Sequence, residues 1–142
     1  MLALVLTLGM QATGSGTALV AVQAEFVPAR PGMPPSVAVT FTPQEPDVRV
    51  NQDPPPRLKL DPRQEVLEYR PPRPSSRGGA SEHEPSRYLE PAIPYAFPVA
   101  LRPRAPRGEH RVKASVTYFY CSKTAGWCRK GTGEIDVPVT VR

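Results

Sequence analysis

Apolar and polar residues alternate at every second position along much of this chain, and that period marks a succession of short β-strands. Residues 19–28, LVAVQAEFVP, set Val20, Val22, Ala24 and Phe26 against Ala21, Gln23, Glu25 and Val27. After a turn cluster at 29–35, ARPGMPP, residues 36–42 place Val37, Val39 and Phe41 on one face. DVRVN at 47–51 and RLKL at 57–60 predict two shorter strands. Between them, Pro54, Pro55 and Pro56 lack ladder donors and mark a corner or edge. Residues 64–69 fit a strand or a turn of helix. Residues 93–101, IPYAFPVAL, alternate too, and Pro94 and Pro98 predict an edge strand there. The strongest pattern is EHRVKASVTYFY at 109–120, with Val112, Ala114, Val116, Tyr118 and Tyr120 on one face. IDVPVTV at 135–141 closes the chain with Ile135, Val137, Val139 and Val141 together, and Pro138 predicts an edge. No helical pattern of ten residues and no internal repeat interrupts this series. Short strands with turns between them predict an all-β protein, an antiparallel β-sandwich.

Composition sharpens this reading. Of 142 residues, 20 are proline, against a usual share of about 5%. A mainly helical fold is excluded, because an interior proline costs a helix about 3 kcal/mol. Thirteen of the prolines lie between Asp53 and Gly108, and only Pro138 follows. Within that middle, residues 70–85, RPPRPSSRGGASEHEP, show no apolar periodicity. They predict a flexible Pro/Arg-rich loop insertion over 70–87, with the composition of a polyproline II docking segment. The length suits one domain, so residues 13–142 are expected to form a single sandwich.

The net charge is +5. Its arginines alternate with prolines and acidic residues rather than with stacking aromatics, so no nucleic-acid partner is expected. RPRAPR at 102–107 suits only weak contact with an anionic surface. Residues 1–10, MLALVLTLGM, are apolar, uncharged and too short to span a membrane. They read as the apolar part of a truncated signal peptide over residues 1–12, and a start placed slightly late accounts for the missing basic residues. Met10-Gln11-Ala12 and Val22-Gln23-Ala24 both offer small-x-small cleavage sites. The earlier is preferred, because a cut after Ala24 removes most of the first strand. The expectation is a soluble, monomeric protein in the periplasm or another extracytoplasmic space, with no stable membrane insertion after cleavage.

The chemistry sits near the end, in Tyr120-Cys121-Ser122-Lys123-Thr124-Ala125-Gly126-Trp127-Cys128. Both cysteines are assigned to the loop between the last two strands. Hairpin partners lie close enough for a disulfide, and an even, clustered pair in an exported chain is expected to oxidise. A structural hairpin staple is one reading, although closing about eight residues stabilises by only roughly 2.5 kcal/mol in the chain-entropy view, modest for a bond meant only to hold a fold. An exchangeable pair is the alternative. Lys123, Arg129 and Lys130 are cations beside it, and cations raise the thiolate fraction. Tyr118, Phe119, Tyr120 and Trp127 are four of the chain's ten aromatics, and they either shield the sulfurs or serve as core and rim. His83 and His110 lie far from any four-ligand spacing, so neither a metal nor another cofactor is expected.

The ending as a whole, YAFPVALRPRAPRGEHRVKASVTYFYCSKTAGWCRKGTGEIDVPVTV at 95–141, resembles the second half of the N-terminal periplasmic domain of the DsbD thiol:disulfide interchange proteins. The shared features are a loop ending in Gly108, a long strand reaching an aromatic-Cys step at Tyr120-Cys121, a second cysteine at Cys128, and a closing VPVTV strand. Upstream, Asn51 and Leu58-Lys59-Leu60 resemble a family stretch in which Arg49 stands where a histidine is common. The resemblance does not extend through 70–87. It implies an immunoglobulin-like fold and a Cys121/Cys128 pair that exchanges electrons with a thioredoxin-like or transmembrane thiol-reductase partner. Cys121, ending a rigid strand, is expected to attack and Cys128 to resolve. Tyr118, Tyr120, Lys123, Trp127 and Arg129 are the expected supporting residues. The alternative is a non-enzymatic envelope binding or assembly module with a structural disulfide.

Overall fold

The computed structural model describes residues 19–71, 87–91 and 93–142. The signal-peptide reading of residues 1–12, and most of the 70–87 insertion, lie outside the described residues. Eight strands form: β1 (Val20–Val27), β2 (Ser36–Pro43), β3 (Val48–Val50), β4 (Arg57–Leu60), β5 (Leu67–Tyr69), β6 (Tyr95–Leu101), β7 (Gly108–Ser122) and β8 (Cys128–Val141). No helix occurs among the described residues. The protein is an all-β antiparallel sandwich. One sheet has the order β1-β2-β6-β5. In the other, β7 is central, β8 lies along one side of it, and β3 and then β4 lie along the other.

The period-2 pattern sets what is buried. Val20, Val22, Val37, Val39, Phe41 and Phe97 of the first sheet are buried against Val48, Val112, Val116, Tyr118, Ile135 and Val137 of the second. Burying such side chains is the main favourable contribution to folding, at about 1.5–3 kcal/mol each. A cut after Ala24 would remove Val20 and Val22, both fully buried.

Two expectations need correction. First, β6 is interior to its sheet, with β2 on one side and β5 on the other. Its prolines are tolerated because the two partners succeed each other along the strand. β2 pairs with Tyr95 through Pro98, and β5 pairs with Val99 through Leu101. Pro98 sits at the handover, where its missing N–H interrupts neither ladder, and its carbonyl accepts from Arg70 N–H at 3.0 Å. Second, β8 begins at Cys128, seven residues before Ile135. The early half, CRKGTGE, carries no apolar alternation because two of its inward positions are Gly131 and Gly133. Gly131 pairs with Tyr118, and the Tyr118 ring occupies the space a side chain at 131 would need.

Residues 64–69 resolve into a turn followed by β5. The Gln64 side chain caps that turn, accepting from Val66 N–H at 2.9 Å and Leu67 N–H at 2.8 Å. The Pro54–Pro56 run interrupts the edge beside β7. Val50 pairs with Tyr120 while Arg57 pairs with Thr117, so residues 51–56 face only Tyr118 and Phe119 and bulge outward.

Candidate functional site

Antiparallel register makes the site. Cys121 and Cys128 are directly paired residues at the end of the β7–β8 ladder, with Cα atoms 4.1 Å apart, and they form a disulfide with S–S 2.04 Å. They therefore belong to the strands rather than to the loop between them, a second consequence of the early start of β8. The loop is residues 123–126. Ser122 N–H donates to Trp127 O at 2.9 Å, and Gly126 N–H to Ser122 O at 3.1 Å. Gly126 turns the chain with φ +72°, a left-handed conformation that glycine adopts without a Cβ clash.

Strand alternation divides the predicted supporting residues from the sulfurs. Tyr118 and Tyr120 point into the core, where their rings lie 5.9 Å apart and Tyr118 packs against Phe41 at 5.1 Å. Trp127 meets Tyr120 edge-on at 5.8 Å, and the Arg129 guanidinium covers Trp127 at 4.2 Å. Those four residues form core and rim. The cysteines, at odd positions of β7 and even positions of β8, occupy the outer face. Lys123 reaches sideways over the Tyr88 ring at 5.3 Å. The two cysteines are unequal: Cys121 is 5% exposed, whereas Cys128 is open to solvent.

Two residues absent from the predicted set complete the site. Asn51 follows β3, and its backbone is held from both sides. Its N–H donates to Phe119 O at 2.7 Å, and it bridges to Tyr88 in a short added segment. In that segment Leu89 N–H donates to Val50 O at 2.8 Å and Arg87 O accepts from Gln52 N–H at 2.9 Å. Oδ1 of the Asn51 side-chain amide lies 3.2 Å from Cys121 Sγ. A disulfide sulfur has no hydrogen, so the oxidised pair is satisfied when the amide presents its NH₂; a Cys121 thiol is satisfied by Oδ1. Arg49, paired with Cys121 across the ladder, turns its guanidinium instead to Pro46 O at 2.8 Å and Val48 O at 2.7 Å.

The other residue is Asp47, immediately before β3. Its Oδ2 accepts from Ser122 Oγ and from Thr124 Oγ1, each at 2.7 Å, and its carbonyl accepts from Lys123 N–H at 2.9 Å. These bonds tie the hairpin loop to the neighbouring strand. The Ser122 hydroxyl, then that of Thr124, holds the Asp47 carboxyl below its usual value of 3.8. Neither residue was visible as a partner in sequence, since Asn51 lies 70 residues from Cys121 and Asp47 lies 75 from Ser122. The only local signal was that DVRVN reads as a strand with polar ends.

Beside this end of β3 lies a cleft of about 260 Å³, lined by Tyr88, Leu89, Ile93, Pro94 and Tyr95 among others, in which Ile93 is 66% exposed. His110 lies near the start of β7, its ring bonded to Pro106 O at 2.7 Å. No group of three potential metal-ligating residues forms among the described residues. Compared with protein-family models, curated proteins and solved structures, the chain matches none.

Proposed function

We propose that this protein is an extracytoplasmic, immunoglobulin-like module that exchanges electrons through Cys121–Cys128 with a thioredoxin-like dithiol partner. The resemblance of residues 95–141 to the DsbD N-terminal domain motivates the reading. The observation that carries it is the unequal exposure of the two cysteines. An exposed Cys128 is open to an incoming thiolate, while a buried Cys121 touches the Asn51 side chain, whose amide can turn its NH₂ to receive it as the leaving group. The accessible partner of a mixed disulfide is then Cys128, and Cys121 is the internal thiol, the reverse of what strand rigidity alone suggests. An oxidising compartment keeps such a bond formed between encounters.

A Cys121→Ser variant, which keeps the exposed thiol, tests this. It is expected to form a stable mixed disulfide with a thioredoxin-like protein that keeps only its exposed cysteine, activated as a disulfide with a small thiol that leaves on attack. The Cys128→Ser variant is expected to trap far less. Equal, negligible trapping by both would remove the reading.

One observation favours a second reading, a binding or assembly module with a structural staple. Three of the four aromatics near the cysteines, Tyr118, Tyr120 and Trp127, pack in the core and its rim rather than over the disulfide. Under that reading, Cys121→Ser/Cys128→Ser lowers stability but leaves partner binding intact.

A further inference from the structure

Among the described residues, Asn51 brings a polar side-chain atom, Oδ1, to a cysteine sulfur, on the buried side of the pair. Its position does not depend on the disulfide. β7 and residues 87–89 fix its backbone by ladder hydrogen bonds, so the amide stays beside Cys121 when the S–S bond opens. The nearby cation on the same strand, Arg49, turns its Nη1 to the backbone carbonyls of Pro46 and Val48. Charge appearing on Cys121 therefore meets a neutral amide first.

We propose that Asn51 is a catalytic residue of the exchange reaction, donating from its side-chain NH₂ to Cys121 as that sulfur becomes a thiolate. The proposal rests on the exchange reading above. In the reductive direction, a thiolate of a partner dithiol attacks Cys128 Sγ. The Cys121–Cys128 bond breaks, and its electron pair leaves on Cys121 Sγ, where the Asn51 amide donates to it. A new S–S bond then joins Cys128 to the partner. The partner's second thiol loses its proton and attacks the partner sulfur of that bond, releasing Cys128 as a thiolate. Both cysteines take protons from solvent, and the partner departs as a disulfide. Two electrons and two protons have moved. The amide turns about its last torsion between states, accepting at Oδ1 from the Cys121 thiol and donating from Nδ2 to the thiolate. A good leaving thiol has a low pKa, and the donor lowers it without placing a fixed charge in the buried site.

The test uses two substitutions. Asn51→Leu removes the donor. Asn51→Asp keeps the shape but replaces the donor with an anion, and it guards against a packing failure in the first. Neither touches the backbone bonds of residue 51. With Cys128→Ser as background, the Cys121 thiol pKa is followed by thiolate absorbance. Both variants are expected to raise it by about one unit, the size expected for one hydrogen bond to a charged group. With both cysteines present, reduction by dithiothreitol is expected to slow about threefold. An unchanged Cys121 pKa in both variants would overturn the proposal. A wild-type disulfide that dithiothreitol cannot reduce would instead remove the exchange reading, while an Asn51-dependent pKa would still support the thiolate contact.

Discussion

Two residues show how local chemistry is placed by distant packing. Gly131 sits beneath the Tyr118 ring, whose atoms would lie 2.6–2.8 Å from a Cβ built there. Tyr118 is fully buried and also packs on Phe41 and Tyr120, so the ring has little room to give. Gly131→Ala is therefore expected to destabilise by about 1–3 kcal/mol, as overpacking does, read from urea unfolding. Asp47 acts through hydrogen bonds to two hydroxyls. Its folded carboxyl titrates below the ordinary value, so the folded state binds fewer protons than the unfolded one as pH falls. The stability it supplies is complete above its ordinary pKa of 3.8 and is lost as pH drops through the lowered folded value. Melting curves below about pH 4 should fall less steeply with acid for Asp47→Asn than for wild type. Equal acid slopes would mean that the loop clasp contributes nothing to folding.

At the level of elements, the β7–β8 hairpin is the framework of the site, and its disulfide adds to a ladder already closed at the tip by Ser122, Gly126 and Trp127. Cys121→Ser/Cys128→Ser is expected to lose about 2.5 kcal/mol and still fold. Thermal unfolding followed by circular dichroism reads this, and failure to fold would show that the bond is indispensable. β1 gives a second test. A chain beginning at Glu25 lacks Val20 and Val22, whose burial contributes about 3–6 kcal/mol in all. It should be markedly less stable than one beginning at residue 13, and equal melting temperatures would show that β1 is dispensable. Where alternation is strong, as in Val37-Val39-Phe41 and Val112 through Tyr120, the strands were legible from sequence. The start of β8 was not, because glycine erases the apolar signal where a cross-strand tyrosine does the filling. β6 looked like an edge because Pro98 is read locally as a missing donor, and only the succession of partners shows that none was required. The cysteine pair was legible. Asn51 and Asp47 were not legible as its partners, since sheet pairing brings them to the hairpin from some 70 residues away.

Across the whole molecule, β7 separates two chemistries. Its first end emerges from the arginine- and proline-rich loop at 102–107, and its last end carries the disulfide. A 15-residue strand spans about 50 Å when extended, so the basic loop and the sulfurs work at opposite poles. The cations of the first pole therefore have little electrostatic influence on the second, which lies several screening lengths away. The middle of the chain, rich in proline, supplies the bulge after Asn51 and the 87–89 segment that hold the amide in place. What remains decisive is whether the sandwich merely carries its disulfide or exchanges it. Equilibration of the purified protein in dithiol redox buffers measures the reduction potential of Cys121–Cys128. The exchange account predicts a value above about −300 mV, within reach of thioredoxin-like partners, and a value well below it would mark the bond as an inert staple and contradict the account.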